Sequence, residues 1–250
     1  MKNRQWAAAW FSLPAAVVCV VSFSPTCSNA ASASAADAGL LALQSGSPQR
    51  RAAVAGLATL VARLPDSASG AGGIRRLFGI ADDRTLRQAK IGEGFQTYLV
   101  DPKPLLSGKP VGESVYGSGV WRFVVMANGQ GIGLITVAPV NGAWTMVEAG
   151  ASELARDIAS VAARYEQQAP TARLRFVRSR QAVADFIEVR PAASPDAKGK
   201  LGEPLYVPLM SARTLAAAAA APGAALTDAQ LDDALRHSVR RAMHDPRVGH

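Results

Sequence analysis

The run Trp121-Arg122-Phe123-Val124-Val125-Met126, then Asn128-Gly129-Gln130-Gly131, then Ile132-Gly133-Leu134-Ile135-Thr136-Val137, decides how this chain is read. Trp121, Phe123 and Val125 alternate with Arg122, Val124 and Met126, and a period of two marks a strand. Both sets are largely apolar, so the strand is expected to be central and covered on both faces. Asparagine and glycine tolerate positive φ, so residues 128–131 predict a hairpin, with 132–137 as the returning strand. Pro139-Val140-Asn141-Gly142 predicts a second turn. Residues 143–148 then read as a third strand with Trp144 and Met146 on one face.

After Glu148 the period changes. Ser152 is the expected N-cap, since its hydroxyl can accept an otherwise unpaired backbone N–H, and Glu153 in the first turn suits the helix dipole. Leu154, Ile158, Val161 and Tyr165 recur at helical spacing, and Pro170 ends the helix. Two more strands follow. Leu174 and Phe176 alternate with Arg173, Arg175 and Val177, and residues 184–189 form the return after a turn at Ser179-Arg180-Gln181. The expected fold class is α+β. It comprises a mostly antiparallel sheet with a β-β-β-α-β-β core, one helix across a face, and helical N- and C-terminal segments on its flanks.

Upstream, Lys2 and Arg4 precede a mostly apolar run over residues 6–23 and a small-residue stretch, with Ser28-Asn29-Ala30 fitting a signal-peptidase site. This is the pattern of a cleaved secretory signal. Pro14 interrupts a run that is short for a membrane span, so no stable transmembrane span is expected after cleavage. Both cysteines, Cys19 and Cys27, fall inside the segment. A mature chain starting at Ala31 has no cysteine, which removes disulfides and thiol chemistry. Loss of Lys2 and Arg4 lowers the formal charge from +8 to +6. A basic exported protein is drawn to anionic partners without being specific for one.

The organisation expected is a signal over 1–30, a helical N-terminal region with one strand over 31–115, a central α+β domain over 116–210 and a helical segment over 211–250. Ser47-Pro48 predicts a helix start, and Val54, Leu57, Val61 and Leu64 give its apolar stripe. Residues 74–80 and 83–90 read as short helices and 95–100 as a strand. Gly112, Gly117 and Gly119 predict an irregular approach to Trp121. Pro204 and Pro208 predict that residues 205–209 form an edge strand. Thr227 and Gln230 have the spacing of a capping box, with Leu226 and Leu231 placed as a hydrophobic staple. Leu231, Leu235, Val239 and Met243 continue that last helix.

Several chemistries lack their residues. His237, His244 and His250 are the only histidines. The first two are two helical turns apart, roughly 10 Å, too far for one metal ion. No Gly-x-Ser-x-Gly elbow supports a serine hydrolase. Gly129-Gln130-Gly131-Ile132-Gly133 lies between strands, whereas a dinucleotide loop must lead into a helix. No cofactor is expected.

Two features remain. Glu93, Asp101, Glu113, Glu148, Asp185 and Glu188 lie near the expected sheet, and two of them brought together could act on a glycan. Arg173, Arg175, Arg178 and Arg180 cluster on one strand and its turn, where Arg173 and Arg175 share a face. Such a row suits phosphate or carboxylate groups, or guards an exposed strand face against edge pairing. No aromatic residues are interleaved on that face, so specific nucleic-acid binding is not expected. The reading is a non-catalytic exported protein, periplasmic or secreted by a bacterium, that binds an acidic ligand or an envelope protein through these four arginines. The alternative is a carboxylate-dependent envelope hydrolase. Nothing in the sequence specifies an oligomeric state.

Overall fold

The computed structural model describes residues 46–64, 72–169, 172–191, 202–217 and 224–244; the expected signal segment and both cysteines lie outside them. The described helices are α1 (Pro48–Ala62), α2 (Gly72–Phe78), α3 (Asp83–Arg87), α4 (Pro102–Leu106), α5 (Ser152–Gln168), α6 (Arg213–Ala217) and α7 (Asp228–His244). The strands are β1 (Lys90–Val100), β2 (Val115–Ala127), β3 (Gln130–Val140), β4 (Ala143–Gly150), β5 (Arg173–Ser179), β6 (Ala184–Arg190), β7 (Leu205–Pro208) and β8 (Leu226–Thr227). None of the described helices is long and apolar enough to cross a membrane.

The strands form one eight-stranded sheet in the order β4-β3-β2-β1-β5-β6-β7-β8. Every neighbour pair is antiparallel except β1 and β5, which run parallel at its centre. The expected α+β fold with its β-β-β-α-β-β core is therefore present, as two antiparallel meanders joined at β1 and β5. Helix α5 is the crossover between them. It packs Ala155, Ile158 and Val161 onto Phe95, Val124, Phe176 and Ile187. The opposite face is covered in two parts. Over the first meander, α1, α2 and α3 bring Leu57, Phe78 and Leu86 against Trp121, Phe123 and Ile135. Over the second, α4 and α7 bring Leu105, Leu231, Leu235 and Val239 against Val177, Phe186 and Tyr206. The Trp121 strand is thus covered on both sides, as its alternation requires.

Several elements differ from their sequence reading. Strand β1 begins at Lys90 rather than near Phe95, and it is the sheet's middle strand. Gly92 and Gly94 resemble loop residues, but a bulge between Ile91 and Gly94 absorbs them. Strand β2 already starts at Val115, and Gly117 pairs with Tyr98. Segment 31–115 therefore supplies the centre of the same sheet that 116–210 builds. Strand β7 is not an edge, because β8 pairs with it outside. The buried stripe of α1 is Ala53, Gly56, Leu57 and Leu60, with Leu64 buried just past its end, while Val54 is half exposed. Ser47 does cap α1, accepting from the Arg50 N–H at 3.2 Å. Arg50 then ties the helix to β1 by donating to the carbonyls of Gly92 and Ile91 at 2.7 and 2.8 Å.

The β2–β3 ladder decides where α5 lies. Val125 pairs with Gly133 but Met126 pairs with Gly131, so Ile132 is an extra residue on β3. The bulge turns the two glycines to opposite faces. A Cβ on Gly131 would lie 2.8 Å from the Ala155 carbonyl oxygen of α5, and one on Gly133 would lie 2.3 Å from the Phe78 ring. Both layers close on the sheet through these missing side chains.

Candidate functional site

The four arginines of the β5 region do not share one surface. Arg173 and Arg175 project to the α7 face with Val177, while Arg178 projects to the α5 face with Phe176. Arg180 lies exposed in the turn beyond. Strand β5 sits between β1 and β6, so these charges do not guard a sheet edge. Arg175 is committed internally. Its Nε donates to Oε2 of the fully buried Glu188 at 2.6 Å, where Arg190 donates to Oε1, and the Arg175 guanidinium lies 4.9 Å from the Tyr98 ring centroid. Tyr206 is buried beside this group. Burial, and then the Glu188 and Asp228 carboxylates, push its hydroxyl pKa far up, so it keeps its proton.

Of the candidate carboxylates, Asp101 caps α4 by accepting from the Lys103 N–H at 2.9 Å. Glu93 is held above the usual carboxylate range by burial and by Glu166. Asp185 and Glu148, by contrast, belong to one charged cluster on the α5 face with Arg178 and Arg122.

That cluster is built by strand register. Arg122 on β2 stands opposite Thr136 on β3 and Phe95 on β1. Arg178 on β5 stands opposite Asp185 on β6. The two guanidiniums lie 5.7 and 5.8 Å from the centroid of the same Phe176 ring, within cation–π range. Arg178 is held by a bidentate pair: its Nε and Nη2 donate to Asp185 Oδ1 and Oδ2 at 2.6 and 2.9 Å. Ser211 locks Asp185 in turn, donating to Oδ2 at 3.1 Å and accepting from the Asp185 N–H at 3.0 Å. Hydrogen bonding to Asp185 raises the Arg178 pKa.

Arg122 is not satisfied in this way. The residue is only 8% exposed, and its Nε is buried with no hydrogen-bond partner. Its ion-pair partner among the described residues is Glu148, whose Oε2 is 3.7 Å from Nη2 and whose side chain is 63% exposed. Thr136 Oγ1 steadies Glu148 with a long contact of 3.3 Å. Burial, and then the Arg178 charge, lower the Arg122 pKa; the group nevertheless stays cationic, as guanidiniums in proteins do. A buried cation with an unmade hydrogen bond carries an unmet desolvation penalty.

Arg122, Thr136, Glu148 and Arg178 line a cavity of about 80 Å³ together with Ala151 and Leu154. This is roughly the room of two to three waters, enough for one carboxylate-sized group. Here α5 begins. Ser152 is its first helical residue and not its cap; the capping position is Ala151, in the left-handed region at φ 57° and ψ 51°, with no side-chain hydrogen bond to the helix. Uncapped first-turn N–H groups and the helix dipole favour an anion at this point. An under-satisfied guanidinium and an uncapped helix start thus meet at one small cavity.

No protein-family model, no curated protein and no solved structure matches the chain. The sequence reading named Arg178 as one of four candidate arginines and placed Asp185 and Glu148 among its carboxylates. It passed over Arg122, reading it as one position in an alternating strand. The signal was present: arginine is almost never buried unpaired, so an arginine in a strand covered on both faces calls for a buried anion.

Proposed function

We propose that the protein is an exported binding protein that receives an acidic group of its ligand in the cavity at the start of α5. The observation that carries this reading is the buried Arg122 guanidinium, with Nε unpartnered and Glu148 in loose contact at 3.7 Å. A ligand anion would displace the exposed Glu148 carboxylate and complete the hydrogen bonds of Arg122. Arg178, held rigidly by Asp185, adds positive charge beside it. Charge-assisted hydrogen bonds of this kind contribute about 1.5–3 kcal/mol each. Export rests on the basic start, the apolar run and the small-residue site ending at Ala30. A carboxylate hydrolase has less support, because Asp185 and Glu148 each already face an arginine.

The test is titration calorimetry of the purified protein with acetate and with inorganic phosphate. At least one is expected to bind, weakly. Arg122→Met, which keeps the buried stem, should abolish binding. Glu148→Gln, a change at an exposed side chain, should tighten it by about tenfold through loss of the competing carboxylate. If wild type and Glu148→Gln bind neither anion, the reading fails.

A further inference from the structure

We propose that the ligand is a carboxylic acid with an apolar body, its acid at Arg122 and its body in the cleft next to that cavity; this rests on the acid-binding reading above. The cleft has a volume of about 540 Å³ and adjoins the Arg122 cavity at Ala151 and Leu154, which line both. Its apolar walls are Leu77 from α2, Leu154 from α5 and Met210 from the turn after β7, and Arg76, Glu153 and Asp185 line it as well. Leu77 and Met210 are 48% and 43% exposed, so two of the few large apolar side chains left open to water face the same space. Covering them with an apolar group removes that surface from water, which is favourable.

Charge selects the acid. The cavity already presents the Glu148 carboxylate to Arg122, so a ligand carboxylate exchanges like for like. A dianionic phosphate would bring a second negative charge close to Glu148 and Asp185. The rest of the molecule has nowhere to go inside a cavity of about 80 Å³. The adjoining apolar cleft receives it.

The experiment compares acetate, octanoate and octanol as titrants. Each buried methylene tightens binding by up to about fourfold, so octanoate should exceed acetate by about a hundredfold or more. Leu77→Ser and Met210→Ser, both at exposed positions, should weaken octanoate about tenfold and leave acetate unchanged. Arg122→Met should remove octanoate binding. Equal affinity for acetate and octanoate would overturn the apolar cleft and leave the acid site standing. Octanol binding as tightly as octanoate, with Arg122→Met without effect, would overturn both, as would failure of every titrant to bind.

Discussion

Arg175 on β5 and Glu188 on β6 occupy one register position of the antiparallel pair, and the fully buried Glu188 carboxylate is shared between Arg175 and Arg190. One buried carboxylate therefore pairs with two guanidiniums beneath α7, and Asp228 adds negative charge near Arg190. Removing one member of such a group leaves buried charge uncompensated, at a cost of about 3–5 kcal/mol. Glu188→Gln is expected to lower the unfolding free energy by that amount in urea denaturation. Arg180→Ala, in the exposed turn after the same strand, should change it by no more than about 0.5 kcal/mol. A Glu188→Gln loss below about 1 kcal/mol would show that the ion group is dispensable.

Gly131 is where α5 touches the sheet. A methyl group there would sit 2.8 Å from the Ala155 carbonyl oxygen, a backbone atom that cannot swing aside. Gly131→Ala is expected to destabilise the fold by about 1–3 kcal/mol, the range for overpacking. It should also disturb the cavity at the start of α5, because the helix must lift. The check pairs urea midpoints with acetate affinity; unchanged stability would mean that the helix docks less tightly than the contact implies.

The last helix is capped as its sequence specifies. Thr227 Oγ1 accepts from the Gln230 N–H at 3.4 Å, and Gln230 Oε1 accepts from the Thr227 N–H at 3.0 Å. Leu226 and Leu231 are both fully buried beside the box. Thr227→Ala should cost about 1 kcal/mol, and Thr227→Ser considerably less, because serine restores the acceptor. Thermal midpoints of the two variants decide it; equal losses would remove the hydroxyl from the explanation.

Asp232 gives a pH dependence with a definite sign. Burial pushes its carboxyl above the usual range, while the Val111 N–H, at 2.7 Å, and Arg236 pull the other way; Asp228 adds to the rise. The folded chain therefore holds this proton more tightly than the unfolded chain. Its contribution to stability is greatest below the unfolded value of about 3.9 and is lost as pH rises through the higher folded value. The stability of wild type minus that of Asp232→Asn should fall as pH rises from about 3 to 6. A difference that is flat or climbs over that interval would contradict the assignment.

The elements that stood out in the sequence are those specified by short-range physics. Alternation over Trp121–Met126, the Asn-Gly turns, the Ser47-Pro48 start and the Thr227–Gln230 box each need only neighbouring residues, and each is present in the fold. The α+β class and the crossover helix followed from their order. What needed tertiary structure was everything set by pairing between distant strands. The place of β1 at the centre of the sheet depends on its parallel partner β5, which lies far along the chain. Register with β6, not spacing along β5, gives Arg175 to Glu188 and Arg178 to Asp185 on opposite faces. Arg122 became a candidate site only when β2, β3, β5 and the uncapped start of α5 were brought together. A sequence records that an arginine is present; whether its hydrogen bonds are made depends on which carboxylates the fold carries to it.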